Sequence, residues 1–196
     1  MPTPERIAKV ERVLAHRQAD LRVVLEGVTL AHNASAVMRT CDAAGVLHLE
    51  LIRPNAEALR PNKAISTRAD KWLEIAVHAT PADCLKPLKA AGYEILATHL
   101  RPDAVPYTEI DFARPVAIVF GSEAEGITEE CLALADRAVR IPMFGMVQSL
   151  NLSVSVGIML HEALRQREAK GYLDRAKLPP GELERLRKNW LNVTEE

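Results

Sequence analysis

Val116-Ala-Ile-Val-Phe-Gly-Ser-Glu-Ala-Glu-Gly126 decides the reading of the fold. Its first five residues are apolar without alternation, the pattern of a strand covered on both faces. A glycine follows at once, then a short polar loop. Thr128 then stands where the N-cap of a helix is expected, over 128–137. A covered strand, a tight loop and a helix are the repeating parts of an α/β sheet.

The same alternation extends outward on both sides. Upstream, strands are expected at Leu21–Gly27, Leu47–Ile52, Trp72–His78 and Tyr93–Leu100. Helices are expected at 5–19, Asn33–Ala44 (closed by Gly45) and Pro81–Ala91 (closed by Gly92). Arg60–Lys71 is polar and reads as a surface loop. Downstream come a short strand at Val139–Ile141, a long helix at Leu152–Lys170 and, past Pro179-Pro-Gly181, a last helix over Glu182–Leu191. The expected fold class is α/β, a mainly parallel sheet with helices on both faces. The expected organisation is an N-terminal helical extension (1–20), a central domain (21–170) and a C-terminal helical extension (171–196). In such sheets ligands sit beyond the carboxyl ends of the strands. That directs attention to the loops after Ala97, Phe120 and Ile141.

Composition bounds the function. The chain has 196 residues, of which 26% are charged and 48% hydrophobic. That balance suits a globular domain and argues against disorder. No run of about 18 apolar residues exists, so no membrane partner is expected. No apolar stretch follows Met1-Pro-Thr-Pro-Glu-Arg6, which reads as no secretory signal. Cys41, Cys84 and Cys131 are far apart and odd in number, as expected of reduced thiols in a cytoplasmic protein. They form no metal-binding pattern, and no metal is expected. The net charge is −1, but it is unevenly spread. Residues 1–22 carry five Lys/Arg against three Asp/Glu, and residues 161–188 carry eight against five. Two basic ends can offer a polyanion a footprint, or can be ordinary solvated helix faces.

Three segments could carry chemistry. Gly121–Gly126 allows close backbone approach to a ligand, yet it lacks the lysine of a phosphate-binding loop, and Glu123 and Glu125 would repel phosphate. The alternative is a tight solvated loop. Pro142–Asn151 is apolar for a loop but holds Gln148, Ser149 and Asn151. It reads as the wall of a cofactor pocket, or as a buried connection in which Ser149 caps the next helix. Arg39 lies between Met38 and Thr40 on the expected helix after His32-Asn33. It needs an anion, or a structural ion pair with Asp42 or Glu123. The histidines form no nucleophile–base or metal arrangement.

His32-Asn-Ala-Ser-Ala-Val-Met-Arg-Thr-Cys-Asp-Ala-Ala-Gly45, Ile118-Val-Phe-Gly-Ser-Glu-Ala-Glu-Gly126 and Ile141-Pro-Met-Phe-Gly-Met-Val-Gln-Ser-Leu-Asn-Leu-Ser-Val154 occur in this order. The set, spanning about residues 20–170, resembles the motifs of the SpoU (TrmH-like) RNA 2′-O-methyltransferases of the SPOUT superfamily. Val147-Gln-Ser-Leu-Asn151 together with His32-Asn-Ala-Ser35 is most similar to members that act on guanosine 18 of the tRNA D-loop. Leu152-Ser-Val-Ser155 departs from the family, which often has Val and Ala there.

The resemblance implies a deep C-terminal trefoil knot, a feature periodicity cannot show. It implies S-adenosylmethionine as cofactor, with S-adenosylhomocysteine as product, and a homodimer whose sites are completed across the interface. Thr98, Leu100, Gly121, Ile141, Met143 and Leu150 match the family's cofactor-binding positions. Arg39 matches its decisive residue, proposed there as a general base. A guanidinium rarely loses its proton, so an anchor for a substrate phosphate is the easier role. Asn33 would orient Arg39 or the ribose, Glu123 would hold Arg39 or the dimer partner, and Ser149 and Asn151 would position loop and substrate.

tRNA contacts would come from His32 and from the basic ends: Arg6, Arg12 and Arg17, and Arg165, Arg167, Lys170 and Arg175. Removing residues 1–19 would then weaken tRNA binding and spare cofactor binding. Rival readings are the same chemistry on ribosomal RNA or another tRNA position, a non-catalytic RNA-binding scaffold, and a small-molecule enzyme with a nucleotide cofactor.

Overall fold

The computed structural model describes residues 2–28, 31–53, 69–174 and 177–192. Its centre is a seven-stranded sheet in which every pairing is parallel. The strands are β1 (Gln18–Glu26), β2 (Val46–Ile52), β3 (Glu74–His78), β4 (Glu94–Thr98), β5 (Val105–Pro106), β6 (Val116–Phe120) and β7 (Arg137–Arg140). Their order is β3-β2-β1-β6-β4-β7-β5. The Val116–Phe120 strand is central and buried at every position, as its unbroken apolarity required.

Helices cover both faces. α2 (Ala31–Ala43) and α5 (Leu152–Ala169) lie on one side, where Val37, Met38 and Cys41 meet Val156, Met159 and Leu160 against Val23, Leu25 and Ile118. α3 (Pro81–Ala90) and α4 (Glu129–Leu134) lie on the other, with Cys84, Leu85, Leu88 and Cys131 packed on Val24, Ala117 and Val119. Thr80 and Thr128 cap α3 and α4 with their hydroxyls. All three cysteines are free and buried, and burial pushes the Cys41 and Cys84 thiols up to about 12.

The expected elements are present with shifted ends. The helix after Thr128 stops at Leu134, because Asp136 accepts a hydrogen bond from the Ile95 N–H at 2.8 Å and the chain enters β7 at Arg137. Ala69–Trp72 forms a 3₁₀ turn ahead of β3, and the rest of the expected 60–71 loop up to 68 lies outside the described residues. β5 and the 3₁₀ turn Tyr107–Glu109 were not expected; a two-residue strand has no periodicity to read.

The two ends form one unit. α1 (Pro4–Ala15) packs on α6 (Pro180–Asn192), burying Val10, Leu14, Leu186 and Trp190 with Leu47 of β2. β1 starts at Gln18, inside the segment expected to be a separate extension.

Two arginines expected to hold RNA are instead buried in this framework. Arg17 is 1% exposed. It pairs with Asp42, donates to the carbonyls of Val46 (3.0 Å) and Trp72 (3.1 Å), and lies over the Trp190 ring. Arg167 is 0% exposed. It donates to Asp20 Oδ1 at 2.6 Å and to the carbonyls of Phe112 and Arg114 at 2.8 and 2.9 Å. Neither guanidinium can reach a phosphate, because carboxylates and carbonyls already occupy its donors. Arg167→Ala strands these carbonyls and leaves Asp20 without its cation, held by the Tyr172 hydroxyl at 2.7 Å, and should lower unfolding free energy by about 3 kcal/mol in urea titration. Removing residues 1–19 would strip Arg17 and the α1 face from the core, so loss of RNA binding in that truncation would not report on contacts.

Candidate active site

The site is built where β4, β6 and β7 end. The loops that follow them enclose a cavity of about 360 Å³. Thr98, Leu100, Gly121, Ile141, Met143 and Leu150 all line it, so the structure brings together the six residues matched to cofactor-binding positions. Ser149 lines it too. His99, Arg140 and Ser155 also line it, and sequence reasoning missed them. Only the place of His99 and Arg140 at strand ends could have pointed to them.

The loop after β6 is a closed turn. Ser122 and Gly126 exchange backbone hydrogen bonds at 3.2 and 2.9 Å, and the Glu125 N–H donates to the Ser122 hydroxyl at 3.1 Å. The close approach that Gly121 permits is to its own loop: a Cβ there would lie 2.0 Å from the Gly126 carbonyl carbon. Gly126 itself holds φ +71°. Glu26, 4% exposed at the end of β1, accepts from the Thr128 N–H (2.9 Å) and hydroxyl (2.6 Å) and so clamps the far side of the turn. No local motif marks Glu26, because its partner is about a hundred residues away.

Glu123 is the hub. One carboxylate oxygen accepts from the Asn33 amide. The other accepts from the Asn151 amide at 3.1 Å and the Leu152 N–H at 3.3 Å. The start of α2, the β6 loop and the start of α5 are thus tied at one carboxylate. Asn151, not Ser149, caps α5, its side-chain oxygen accepting from the Ser153 N–H at 2.9 Å.

Arg39 stands apart. The ion pairs considered for it are excluded: Asp42 is held by Arg17, and Glu123 by the two asparagines. Arg39 is exposed, lines no part of the cavity, and has no ion pair or hydrogen bond among the described residues. Of the residues expected at RNA, Arg12 is exposed. Arg165 and Lys170 are exposed and paired with Glu162 and Asp111. Arg6 is half-buried and donates to the Trp190 carbonyl at 2.9 Å. His32 lies in α2 with its side chain outside the described residues, as does all of Arg175.

Among the described residues, Glu50, His78 and Cys84 bring potential metal-ligand atoms within 4.8 Å of one another. Both Glu50 oxygens are already engaged there, by Arg22 and His78. No helix among the described residues is long and apolar enough to cross a membrane.

Comparison with known proteins follows the same lines. The profile of the SpoU rRNA Methylase family matches residues 20–161. A tRNA (guanosine(18)-2′-O)-methyltransferase of Thermus thermophilus is 43% identical over 189 residues, covering 96% of this chain and 97% of that protein. The Aquifex aeolicus TrmH/SpoU tRNA modifying enzyme superposes with a TM-score of 0.90 at 39% identity, covering 95% of each chain. The AdoMet-bound rRNA methyltransferase of Sinorhizobium meliloti gives 0.65 at 33% identity, covering 79% of this chain and 59% of that one. Matched by that profile over residues 20–161 and sharing its fold nearly end to end with the Aquifex aeolicus enzyme, the chain belongs to the SpoU methylase family.

Proposed function

We propose that this chain is an S-adenosylmethionine-dependent methyltransferase acting on the ribose 2′-hydroxyl of guanosine 18 in the tRNA D-loop. The cavity at the ends of β4, β6 and β7 carries the reading. Its volume of about 360 Å³ falls in the range of small-molecule sites, and its lining is mainly apolar. A nucleoside cofactor fits such a wall, with strand-end backbone groups available to the adenine. When bound, S-adenosylmethionine supplies an electrophilic sulfonium methyl and leaves as S-adenosylhomocysteine. The chain's own work is to align the ribose oxygen and provide for its proton. Glu123 holds Asn33 and Asn151 at the rim, and these amides with Ser149 position the ribose and the loop. A C-terminal trefoil knot of the family type would be what brings the three loops together.

The working unit is a homodimer. Phe144 and Met146 are each 99% exposed, and Val147 64%, on the loop beside the cavity. Apolar groups so exposed call for a cover. Arg39, with no ion pair or hydrogen bond among the described residues, would complete the site of a second copy and anchor an RNA phosphate there. The RNA footprint rests on Arg12, Arg165 and Lys170, with His32 and Arg175 also assigned to it. The flanking helices α1 and α6 serve as extensions of the catalytic domain.

The match to a tRNA enzyme over nearly the whole of both chains favours tRNA over ribosomal RNA. Wild-type protein given labelled cofactor should methylate purified unmodified tRNA and leave ribosomal RNA unlabelled. Label in ribosomal RNA alone would move the reading to that substrate.

A further inference from the structure

On the sheet face covered by α3 and α4, strand alternation aligns Arg22 of β1, Glu50 of β2 and His78 of β3. Cys84, in the first half of α3, packs on the same face, 1% exposed and with a free thiol. Potential ligand atoms of Glu50, His78 and Cys84 lie within 4.8 Å of one another. His78 Nε2 donates to Glu50 Oε2 at 2.8 Å, and Arg22 donates to the other Glu50 oxygen at 2.5 Å. Glu50 is 4% exposed, whereas His78 keeps 23% of its side chain at the surface. His78 and Cys84 are close in sequence, but Glu50 comes from a strand 28 residues upstream of His78, so no linear pattern marks the group.

An ion-pair network accounts for Arg22, Glu50 and His78, but it has no use for a thiol. Thiolate, imidazole and carboxylate together are a donor set for zinc, whereas magnesium and calcium take oxygen ligands. Three protein donors leave a fourth position for water. The partly exposed His78 ring opens the group to solvent, so an ion has a way in. Tetrahedral zinc, with bonds of about 2.0–2.3 Å, sets its ligand atoms roughly 3.3–3.6 Å apart. The His78–Glu50 contact must then open by about 0.5 Å, and the wider separations close by at most about 1.5 Å, both within reach of side-chain torsions. Arg22 does not block the ion. It holds the carboxylate oxygen that the metal leaves unused, the place of an orienting partner for a ligating carboxylate. Its charge opposes the ion, but the Cys84 thiolate and the Glu50 carboxylate together balance the two charges of zinc.

We propose that Glu50, His78 and Cys84 form a zinc-binding site that fastens the edge of the sheet. On binding, the Cys84 thiol proton leaves to solvent, and the neutral His78 ring ligates through Nε2 with its own proton on Nδ1. β3 stands at the edge and pairs with β2 alone, and its Val77 is 48% exposed. A metal held by all three residues ties this strand to β2 and to α3 at once. The site is independent of the reading of the reaction, because the cofactor cavity is lined from the ends of β4, β6 and β7 and includes none of these residues.

The test titrates untagged, chelator-stripped full-length protein with Zn²⁺ and, for its spectrum, Co²⁺. Wild type should take up one ion per chain. Its cobalt form should show the near-ultraviolet thiolate-to-cobalt charge-transfer band and the strong visible bands of a tetrahedral ion. Zn²⁺ at about a hundred times its Kd should raise Tm by about 5–10 °C. Cys84→Ser should lose the charge-transfer band and weaken zinc binding by more than the 10–100-fold that loss of an outer partner costs, about 100-fold or beyond. His78→Gln, altered at a partly exposed side chain, should keep the band while binding far more weakly, and it carries the comparison if Cys84→Ser does not fold. Methyl transfer at ordinary temperature should be the same with and without the ion. A wild type that takes up no stoichiometric zinc overturns the proposal and leaves the group an ion-pair network. A cobalt form without the thiolate band overturns it too, as does an equal zinc-induced rise in Tm in wild type and His78→Gln.

Discussion

Arg39→Ala should lower methyl transfer to tRNA by about 10²–10⁴-fold, the range of a positioned group acting at the transferred proton or beside it. The structure makes this substitution unusually clean. Arg39 is exposed on α2, and neither Asp42 nor Glu123 depends on it, since each is held by other residues. Folding should therefore be unaffected, with thermal unfolding within about 0.5 kcal/mol of wild type. Cofactor affinity should also hold, because Arg39 lines no part of the cavity. Calorimetric titration with S-adenosylmethionine and single-turnover methyl transfer separate the two effects. Arg39→Lys asks whether charge alone suffices. An ammonium cannot reproduce a bidentate contact, so only part of the rate should return. Full activity in Arg39→Ala would remove this residue from the mechanism.

Gly121→Ala should be damaging for a different reason. The new Cβ would meet Gly126 backbone atoms at 2.0 and 2.1 Å and the Ile127 nitrogen at 2.4 Å. These are backbone atoms of a turn closed by its own hydrogen bonds, so the overlap cannot be relieved by rotating a side chain. The turn must open, and Glu123 moves with it. Overpacking of this kind costs on the order of 3 kcal/mol. Misplacing the site by about 1 Å would cost about 10²-fold in methyl transfer. Gly126→Ala is the informative contrast. Its φ of +71° is strained for alanine, at about 1–2 kcal/mol, but no atom lies within 4 Å of the added Cβ. Gly126→Ala should keep cofactor binding, whereas Gly121→Ala should lose most of it.

The parts of this protein that were legible in its sequence are those with local causes. Val116–Phe120 announces a covered strand because nothing polar interrupts it. Thr128 and Gly45 mark helix ends because caps use neighbouring atoms. The loops with unusual chemistry were found for the same reason, and Gln148, Ser149 and Asn151 stand out within an apolar loop.

What could not be read depends on partners distant in sequence. Arg17 and Arg167 look like any basic residue at a helix end. Only the fold brings Asp42 and Trp190 to one, and Asp20 with the Phe112 carbonyl to the other. The role of Glu123 was half legible. Its importance followed from its loop, but its two asparagine partners come from separate helices. Glu26 left no trace in the motifs at all. Arg53 is similar: its charge is visible in sequence, and its burial is visible only in the fold.

The most direct test of the account uses two tRNAs that differ by one oxygen atom. One carries guanosine at position 18, and the other carries 2′-deoxyguanosine there. Both are incubated with the protein and labelled S-adenosylmethionine, and the labelled nucleotide is identified after digestion. The account predicts one labelled product, 2′-O-methylguanosine from position 18 of the first tRNA, and no label in the second. Equal labelling of both tRNAs, or label at any other nucleotide, would contradict it.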